Sequence, residues 1–438
     1  MEARGLFSEV NMPFEESQDK QKPKALFIVD STAQAEMFKP IAEELSDWDT
    51  VAINTDRWNK REEMEKVLQE LNFPHKTIAG LKLGNVREIF RKERPDIIVV
   101  GHDRNLMDRL FVRYANKMGI PTLLVQDGIL AASRDKTRET GSFSSSLGYA
   151  ICLPVKAFRF IMNRDYSWRR KIETALFELR YGTRGKSGIY GHGECVKMAL
   201  FGDTVKKMFI SERIDPERIV VTGNPKFDKV YYSRDSNCKQ KVCERWGIPP
   251  DKEIILLLTQ YFVEAGHWDR KQRRQFTLAV IKAVSTLPDT QLIIKLHPPS
   301  ENEEDYNEIV KGLIPPPIIC KYASLPELLN ACSLAITVSS TAALEAMAIG
   351  KPVVIVELFN DSGDSFYKES GALFAEREED ISSAMQKALY DPQTREEMAK
   401  SMEKFVYQQA YLQDGQASKR IADLIVSMVT GNKPPQQI

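Results

Sequence analysis

Asp127, His102 and His297 each follow an apolar run of the sequence, and all three can move protons or carry charge. If those runs are parallel strands, their carboxyl ends open into one ligand crevice. A carboxylate such as Asp127 can remove a proton from a hydroxyl group, and His102, or Asp103 beside it, can serve as an acid or a base. The alternative for Asp127, which precedes a glycine, is an ordinary turn residue.

Lys295 and His297 stand in the sequence Lys-Leu-His-Pro at the end of an apolar run. A cation at a strand end can neutralise a leaving diphosphate, which is the main electrostatic task in group transfer from a nucleotide donor. In the alternative interpretation, His297 caps the following loop and Lys295 extends its ammonium to solvent. The crevice position favours the functional interpretation.

The segment 333–356 predicts a strand, a turn, a helix and a second strand. The turn Ser339, Ser340 and Thr341 supplies hydroxyls at the start of the helix, and Gly350 stands where a left-handed C-terminal cap belongs. Free backbone amides at a helix N-terminus bind phosphate. Glu345 lies one turn beyond Thr341, where its carboxylate can accept hydrogen bonds from sugar hydroxyls. The alternative is a capped crossover helix with a solvated glutamate.

The pattern of 339–354 resembles the nucleotide-binding motif of GT-B glycosyltransferases. It is similar to segments of lipid A disaccharide synthase, of the Kdo transferases and of the non-hydrolysing UDP-GlcNAc 2-epimerases. The resemblance implies that the turn holds the donor diphosphate, that Glu345 holds the ribose, and that Thr259 and Gln260 contact donor phosphate. It covers residues 195–430 well and 24–128 only by layout.

Other segments point to different members of that group. Lys-Leu-His-Pro is similar to the Lys-x-His-Pro segment of sialyl-, Kdo- and glycerophosphotransferases. Val125-Gln-Asp-Gly resembles the Gln-His-Gly of CDP-glycerol glycerophosphotransferases, but Asp127 replaces the histidine that is the base there. The His-Arg motif of the 2-epimerases is absent after the strand that ends near Thr259, which argues against epimerisation.

Apolar runs alternate with helical patterns along most of the chain, which predicts two successive doubly wound α/β layers. With the resemblance, this indicates the GT-B plan of two Rossmann-like domains that face a central cleft. Strands are predicted at 24–29, 50–54, 76–78, 96–101, 121–126, 197–201 and 218–222, and then at 254–259, 291–296, 318–320, 334–338 and 353–357.

The predicted organisation has four parts. A flexible leader spans 1–22, an acceptor domain spans 23–228, a nucleotide-donor domain spans 238–405, and a C-terminal helix within 406–430 crosses back to the first domain. The polar stretch near 226–238 is the predicted hinge.

The composition is that of a globular protein without a global electrostatic preference. The 438 residues contain 61 Lys plus Arg and 61 Asp plus Glu. Because the charges balance, the net charge does not indicate nucleic-acid binding. Six scattered cysteines without a Cys-x-x-Cys pair, and the lack of an apolar leader, predict a reduced, cytoplasmic protein. No Asp-x-Asp follows a strand of the first layer, so we predict metal-independent transfer with no cofactor.

The segment 129–190 interrupts the first layer and is basic and aromatic, above all over 147–186. Such an insert predicts docking at the inner face of a membrane. The alternative is a lid whose basic residues bind an anionic acceptor.

These observations favour a GT-B glycosyltransferase that moves a sugar from a nucleotide-sugar donor to a surface-glycan or lipid-linked acceptor. Asp127 is the predicted base, His102 an acid or base on the acceptor side, and His297 with Lys295 the neutraliser of the leaving phosphate. Three alternatives remain: a CDP-glycerol-type glycerophosphotransferase, a 2-epimerase-like enzyme, and a catalytically silent membrane-docked scaffold.

Overall fold

The computed structural model describes residues 22–55, 61–78, 83–103, 106–128, 190–233, 237–298, 300–359 and 366–431. Almost all of the predicted leader and of the predicted insert lies outside these residues. Among the described residues, no helix combines the length and the apolar character needed to cross a bilayer.

The first half of the chain forms a seven-stranded parallel sheet with the order β3-β2-β1-β4-β5-β6-β7. The order reverses between β1 and β4, and a crevice opens beyond the carboxyl ends of the strands at such a point. The strands are β1 (Lys24–Val29), β2 (Asp49–Asn54), β3 (His75–Thr77), β4 (Ile97–Val100), β5 (Thr122–Val125), β6 (Lys197–Leu200) and β7 (Ile219–Val221).

Helices cover both faces of this first sheet. Side chains alternate along a strand, so Leu26 and Ile28 belong to one apolar core and Phe27 and Val29 to the other. Burial on both faces explains why these strands are continuous apolar runs. The helices are α1 (Thr32–Glu44), α2 (Arg61–Glu70), α3 (Leu83–Glu93), α4 (Leu106–Lys117), α5 (Asp203–Ser211) and α6 (Pro225–Tyr232).

The second half forms a six-stranded parallel sheet with the order β10-β9-β8-β11-β12-β13. Its order reverses between β8 and β11. The strands are β8 (Glu253–Leu258), β9 (Thr290–Lys295), β10 (Ile318–Cys320), β11 (Leu334–Thr337), β12 (Val353–Val356) and β13 (Leu373–Ala375). The helices are α7 (Cys238–Trp246), α8 (Arg270–Val284), α9 (Glu303–Val310), α10 (Leu325–Ala331), α11 (Ala342–Ala348), α12 (Glu378–Tyr390), α13 (Pro392–Ala410) and α14 (Ala417–Thr430).

The two halves, called here the first and second lobes, are joined by the last helix. Ile421, Leu424 and Ile425 of α14 pack into one core of the first sheet, against α1. Buried Asp228 of α6 accepts hydrogen bonds from the backbone amides of Ala417 (3.0 Å) and Ser418 (2.7 Å) at the start of α14. The end of the chain is thereby fixed to the lobe that contains its beginning.

The fold class is confirmed: two Rossmann-like parallel-sheet layers follow one another. Each predicted strand agrees with the structure to within one residue at either end. The short edge strand β13 was not predicted. The predicted hinge at 226–238 is partly helical, because Asn224 caps α6 and Pro225 occupies its first turn. A domain boundary between 405 and 406 falls inside the continuous helix α13.

Candidate functional site

His102 lies between two buried carboxylates at the carboxyl edge of the first sheet. Its Nε2 is 3.3 Å from Oδ2 of Asp30, which follows β1, and its Nδ1 is 3.1 Å from Oδ2 of Asp108 in the first turn of α4. Burial by itself lowers the pKa of His102, but the hydrogen bonds and charges of Asp108 and Asp30 outweigh it and raise the pKa to about 10. His102 is therefore an imidazolium at neutral pH, held by the two acids.

Asp30, His102 and Asp108 also bring their ligand atoms close enough together to hold a metal ion, and they are the one such group within the described part of the chain. These atoms are all within 4.8 Å of one another. A metal needs an unprotonated ring nitrogen, however, and both nitrogens of His102 face a carboxylate. We interpret the group as a buried ion cluster, and metal independence stays a prediction.

Asp127 is held beside this cluster by Gln34 of α1. Gln34 Nε2 donates to Asp127 Oδ2 at 2.9 Å, while Gln34 Oε1 accepts from the backbone amide of Asp30 at 3.0 Å. Gly101 leaves room for this bridge, because a Cβ there would lie 2.5 Å from Gln34 Nε2. Burial raises the pKa of Asp127, and the charge of His102 and the Gln34 hydrogen bond oppose the rise. A carboxyl with a raised pKa is suited to proton transfer near neutral pH.

The turn before α11 differs from the prediction of free backbone amides. The Ser339 amide donates to Gln260 Oε1 at 2.8 Å, and the Ser340 amide lies 3.4 Å from Thr337 Oγ1. Gln260 also donates through Nε2 to the Ser339 hydroxyl at 3.1 Å. The helix has seven residues, and Thr341 at its N-cap makes no side-chain capping bond. A phosphate would therefore meet mainly side chains here, or displace Gln260.

Gly350 has the predicted left-handed conformation, with φ of 76°, and ends the turn after α11. On that helix Glu345 is partly exposed, while its neighbours Leu344 and Ala346 are buried. Burial raises the pKa of Glu345 to about 7, and the charge of Lys226 opposes the rise. The carboxyl is thus poised between its charged and neutral forms at physiological pH.

The ammonium group of Lys295 is hydrogen-bonded to the backbone. Its Nζ donates to the carbonyls of Lys321 (2.6 Å) and Leu296 (3.1 Å), and burial lowers its pKa. The role in neutralising phosphate stays a prediction, and it would require these bonds to break. The structure therefore favours a supporting role for this lysine in the β9 strand end.

His297 lies at the same edge, with its ring 4.8 Å from the ring of Tyr261. Its backbone amide donates to Glu301 at 2.8 Å, while its buried Nδ1 has no hydrogen-bond partner among the described residues. Burial lowers the pKa of His297, and the negative charge of Glu301 opposes this lowering. A neutral imidazole with an open nitrogen can accept or donate a hydrogen bond, but it does not supply a charge.

Thr259 belongs to an internal network. Its hydroxyl donates to buried Glu301 and lies 3.2 Å from the Lys295 carbonyl. Tyr306 also donates to Glu301, at 2.5 Å. These bonds fix the edge between β8 and β9, so Thr259 positions the loop that carries Gln260.

The structure brings the predicted residues together in two groups, one at each sheet edge. His102 and Asp127 share the first edge, and Gln260, Ser339 and the α11 turn share the second. Sequence reasoning gave no functional role to Asp30, which directly precedes Ser31, the N-cap of α1. It also missed Gln34 and Asp108, whose only sequence signal is that each lies in the first turn of a helix that follows a strand.

Comparison with known proteins agrees with this architecture. A family model described as UDP-N-acetylglucosamine 2-epimerase matches residues 201–426, slightly more than half of the chain. The match includes the stretch after β8, so the absence of a His-Arg motif there does not exclude membership. No curated protein matches.

Several solved structures share the fold. The S. aureus MnaA–UDP co-structure has a TM-score of 0.61 and 17% identity, over 95% of this chain and 100% of that one. The UDP-GlcNAc 2-epimerase of Neisseria meningitidis bound to UDP-GlcNAc has a TM-score of 0.60 and 15% identity, over 93% and 100%. The glycosyltransferase families named from the sequence are not confirmed; the chain belongs to the UDP-N-acetylglucosamine 2-epimerase family.

Proposed function

We propose that the protein is an enzyme that binds a UDP-sugar and inverts C2 of its 2-acetamido sugar. The observation that carries the proposal is the family match over 201–426, which contains the whole second sheet and the segment 333–356. Two structures of similar fold contain UDP or a UDP-sugar: the S. aureus MnaA–UDP co-structure and the Neisseria meningitidis epimerase bound to UDP-GlcNAc. The epimerase alternative therefore replaces glycosyl transfer as the preferred function.

In this proposal the UDP part binds at the second lobe. The hydroxyls of Ser339, Ser340 and Thr341 hydrogen-bond the diphosphate, and Glu345 accepts hydrogen bonds from the ribose. Gln260 gives up its bonds to Ser339 when phosphate arrives, because its side-chain amide occupies the hydrogen-bonding groups of that loop. Glu345→Ala is then expected to raise the KM for UDP-GlcNAc, with little loss of folded protein.

The proton transfer is assigned to the first lobe. Inversion at C2 removes the C2 proton from one face, with its electron pair released as the C1–O bond to UDP breaks, and then re-forms the C1–O bond as a proton adds to the opposite face of C2. The site therefore needs both a proton acceptor and a proton donor. We assign one of these roles to Asp127, because burial raises its pKa above the ordinary value for an aspartate while Gln34 holds its carboxyl in place. His102 supplies a fixed positive charge beside it and, with a pKa of about 10, does not itself exchange the proton at neutral pH.

A second candidate is glycosyl transfer from the same UDP-sugar. The sequence after β8 favours it, because Tyr261 and Phe262 follow where the resemblance to 2-epimerases implies a His-Arg motif. In that case Asp127 removes a proton from the acceptor hydroxyl. The acceptor, whether a glycan or a lipid-linked precursor, belongs to this candidate only.

One experiment separates these functions. The protein is incubated with UDP-GlcNAc in D2O, and the products are followed by proton NMR and by mass. Epimerisation gives the C2 epimer with deuterium at C2, whereas transfer gives free UDP that depends on an added acceptor. A nucleotide that binds and returns unchanged, without deuterium, would leave only the silent scaffold.

A further inference from the structure

Lys226 is a partly buried lysine at the start of α6. Among the described residues, no carboxylate or carbonyl lies within hydrogen-bond or ion-pair distance of its ammonium group. Lys229, one turn further along the same helix, points to the surface and lies 3.9 Å from Glu36. A partly buried ammonium without a protein partner is unusual, because its desolvation is then uncompensated.

The backbone places Lys226 beside the first sheet edge. Asn224 caps α6 by accepting a hydrogen bond from the Lys226 amide at 3.0 Å. The side-chain Nδ2 of Asn224 donates to the backbone carbonyl of Gln126 at 2.8 Å. Gln126 directly precedes Asp127, so the start of α6 is fixed to the loop that carries the proposed proton-transfer group.

The same helix also reaches the second lobe. It packs against α11, whose first turn carries Glu345. The positive charge of Lys226 lowers the pKa of both Asp127 and Glu345, in each case against the effect of burial. The lysine is therefore within electrostatic range of both lobes' carboxyl groups.

Three other groups that could bind an anion near this place already have partners. The Lys295 ammonium donates to two carbonyls, and the Ser339 amide donates to Gln260. His102 is paired with Asp30 and Asp108. A cation that meets a diphosphate between the lobes adds charge-assisted hydrogen bonds, which are about twice as strong as those from neutral hydroxyl groups.

We propose that Lys226 is the cation that binds the diphosphate of the nucleotide sugar. The chemical class of this ligand rests on the proposed function, whereas the choice of Lys226 rests on its position between the lobes. The lysine would hold the phosphates between Asp127 and Glu345, with the sugar toward the first lobe and the ribose toward the second. The binding energy of the phosphates would thus be used to orient the sugar.

Calorimetric titration of the full chain with UDP and with uridine tests this assignment. Lys226→Met is expected to weaken UDP binding about 10- to 100-fold, since one charge-assisted contact to phosphate is lost. Uridine binding should be unchanged, because uridine has no phosphate. Lys229→Met, the matched control on the same helix, should bind UDP as the wild type does, and Lys226→Arg should recover part of the loss.

The outcomes separate this proposal from the proposed function. Equal UDP affinity in Lys226→Met and wild type would overturn the lysine assignment and leave the UDP-sugar proposal intact. Equal losses for UDP and uridine, or a lower urea midpoint for the variant, would mean a structural role and would also overturn the assignment. Absence of UDP binding by the wild type would overturn both.

Discussion

The two sheets present edges of opposite chemical character to the crevice. The first edge carries ionisable groups, with His102 set between Asp30 and Asp108 and with Asp127 close by. At the second edge, hydroxyl and amide groups of Gln260 and the Ser339 turn line the crevice, and Glu345 is partly exposed on α11. The two cationic residue types there, Lys295 and His297, are respectively bonded to backbone carbonyls and lowered in pKa by burial.

The difference follows from what each strand end contributes. Both sheets are parallel and bury apolar strands on both faces, so the architecture does not distinguish them. The residues that follow the strands differ between the two sheets, and in our proposal they make the first edge the place of proton transfer and the second edge the place where the nucleotide binds. Function in this fold therefore depends on loop residues rather than on the layers.

The largest effect should come from removing the proton-transfer group of the first edge. Asp127→Asn keeps the shape and the contact with Gln34 but cannot take a proton, so turnover of UDP-GlcNAc should fall by about 100-fold or more. UDP affinity should not fall, because the contacts that we propose for the nucleotide come from Lys226 and the second edge and not from Asp127. Turnover that survives the substitution would move the chemistry away from this edge.

The next effect concerns the join between the lobes. Asp228→Ala removes the acceptor for the amides of Ala417 and Ser418 and for the Ser418 hydroxyl, all of which are buried. Unfolding in urea should show a loss of about 3 kcal/mol, since two buried amides lose their charge-assisted partner. Arg245→Ala, which removes an exposed pair with Glu327, is the control and should cost less than about 1 kcal/mol. A loss as small as that of the control would show that α14 does not depend on Asp228.

The ionisation of Glu345, the carboxyl at the second edge, should be visible in the pH dependence of the free energy of unfolding. Glu345 is ionised in the unfolded chain above about pH 4.5, whereas burial holds it protonated in the fold up to about pH 7. The folded protein binds the extra proton in that interval, so its stability falls as the pH rises from 4.5 to 7, and the full penalty is present above 7.

Glu345→Gln removes this penalty. The variant should be more stable than wild type by about 1–3 kcal/mol at pH 8 and should show no gain near pH 4. Urea unfolding at the two pH values gives the difference directly. A gain of equal size at both values would mean that packing, and not ionisation, is responsible.

The smallest effect concerns the bridge beside Asp127. Gln34→Met removes the hydrogen bond that favours the charged carboxylate, so the pKa of Asp127 should rise further. If the ionised form of Asp127 is the base, the acidic limb of kcat/KM should move to higher pH, with a loss of about fivefold near pH 6.

Gly101→Ala is a matched probe of the same bridge. Its Cβ would lie 2.5 Å from Gln34 Nε2, so the glutamine must move although its chemistry is unchanged. The variant should shift the acidic limb in the same direction. A pH profile identical to wild type in both variants would show that Gln34 does not position Asp127.

The fold was largely predictable because it follows from local signals. Alternating apolar and helical segments determine two parallel layers, and each strand ends where its apolar run ends. The edge strand β13 was not predicted, although β3, β7 and β10, which also have three residues, were. The helical start of the supposed hinge was signalled by Asn224 and Pro225, which are an N-cap and a first-turn residue.

The candidate site was predicted only in part. Asp127, His102 and the Ser339 turn could be named from their positions after strands, and Glu345 from its position in the helix. The sequence could not show that Gln260 occupies the Ser339 amide, since these residues lie 79 positions apart. Nor could it show that the Lys295 ammonium turns to the carbonyls of Leu296 and Lys321.

The sequence by itself determined the number of layers, the order of their strands along the chain and the residue types at each strand end. The tertiary structure decided which of those residues meet. His102 is charged because Asp30 and Asp108 approach it from two other segments, and Lys226 is near carboxyl groups of both lobes because its helix α6 is bonded to Gln126 and packs against α11. Protonation and pairing depend on distances of a few ångströms between segments far apart in sequence, and local patterns carry no such distances.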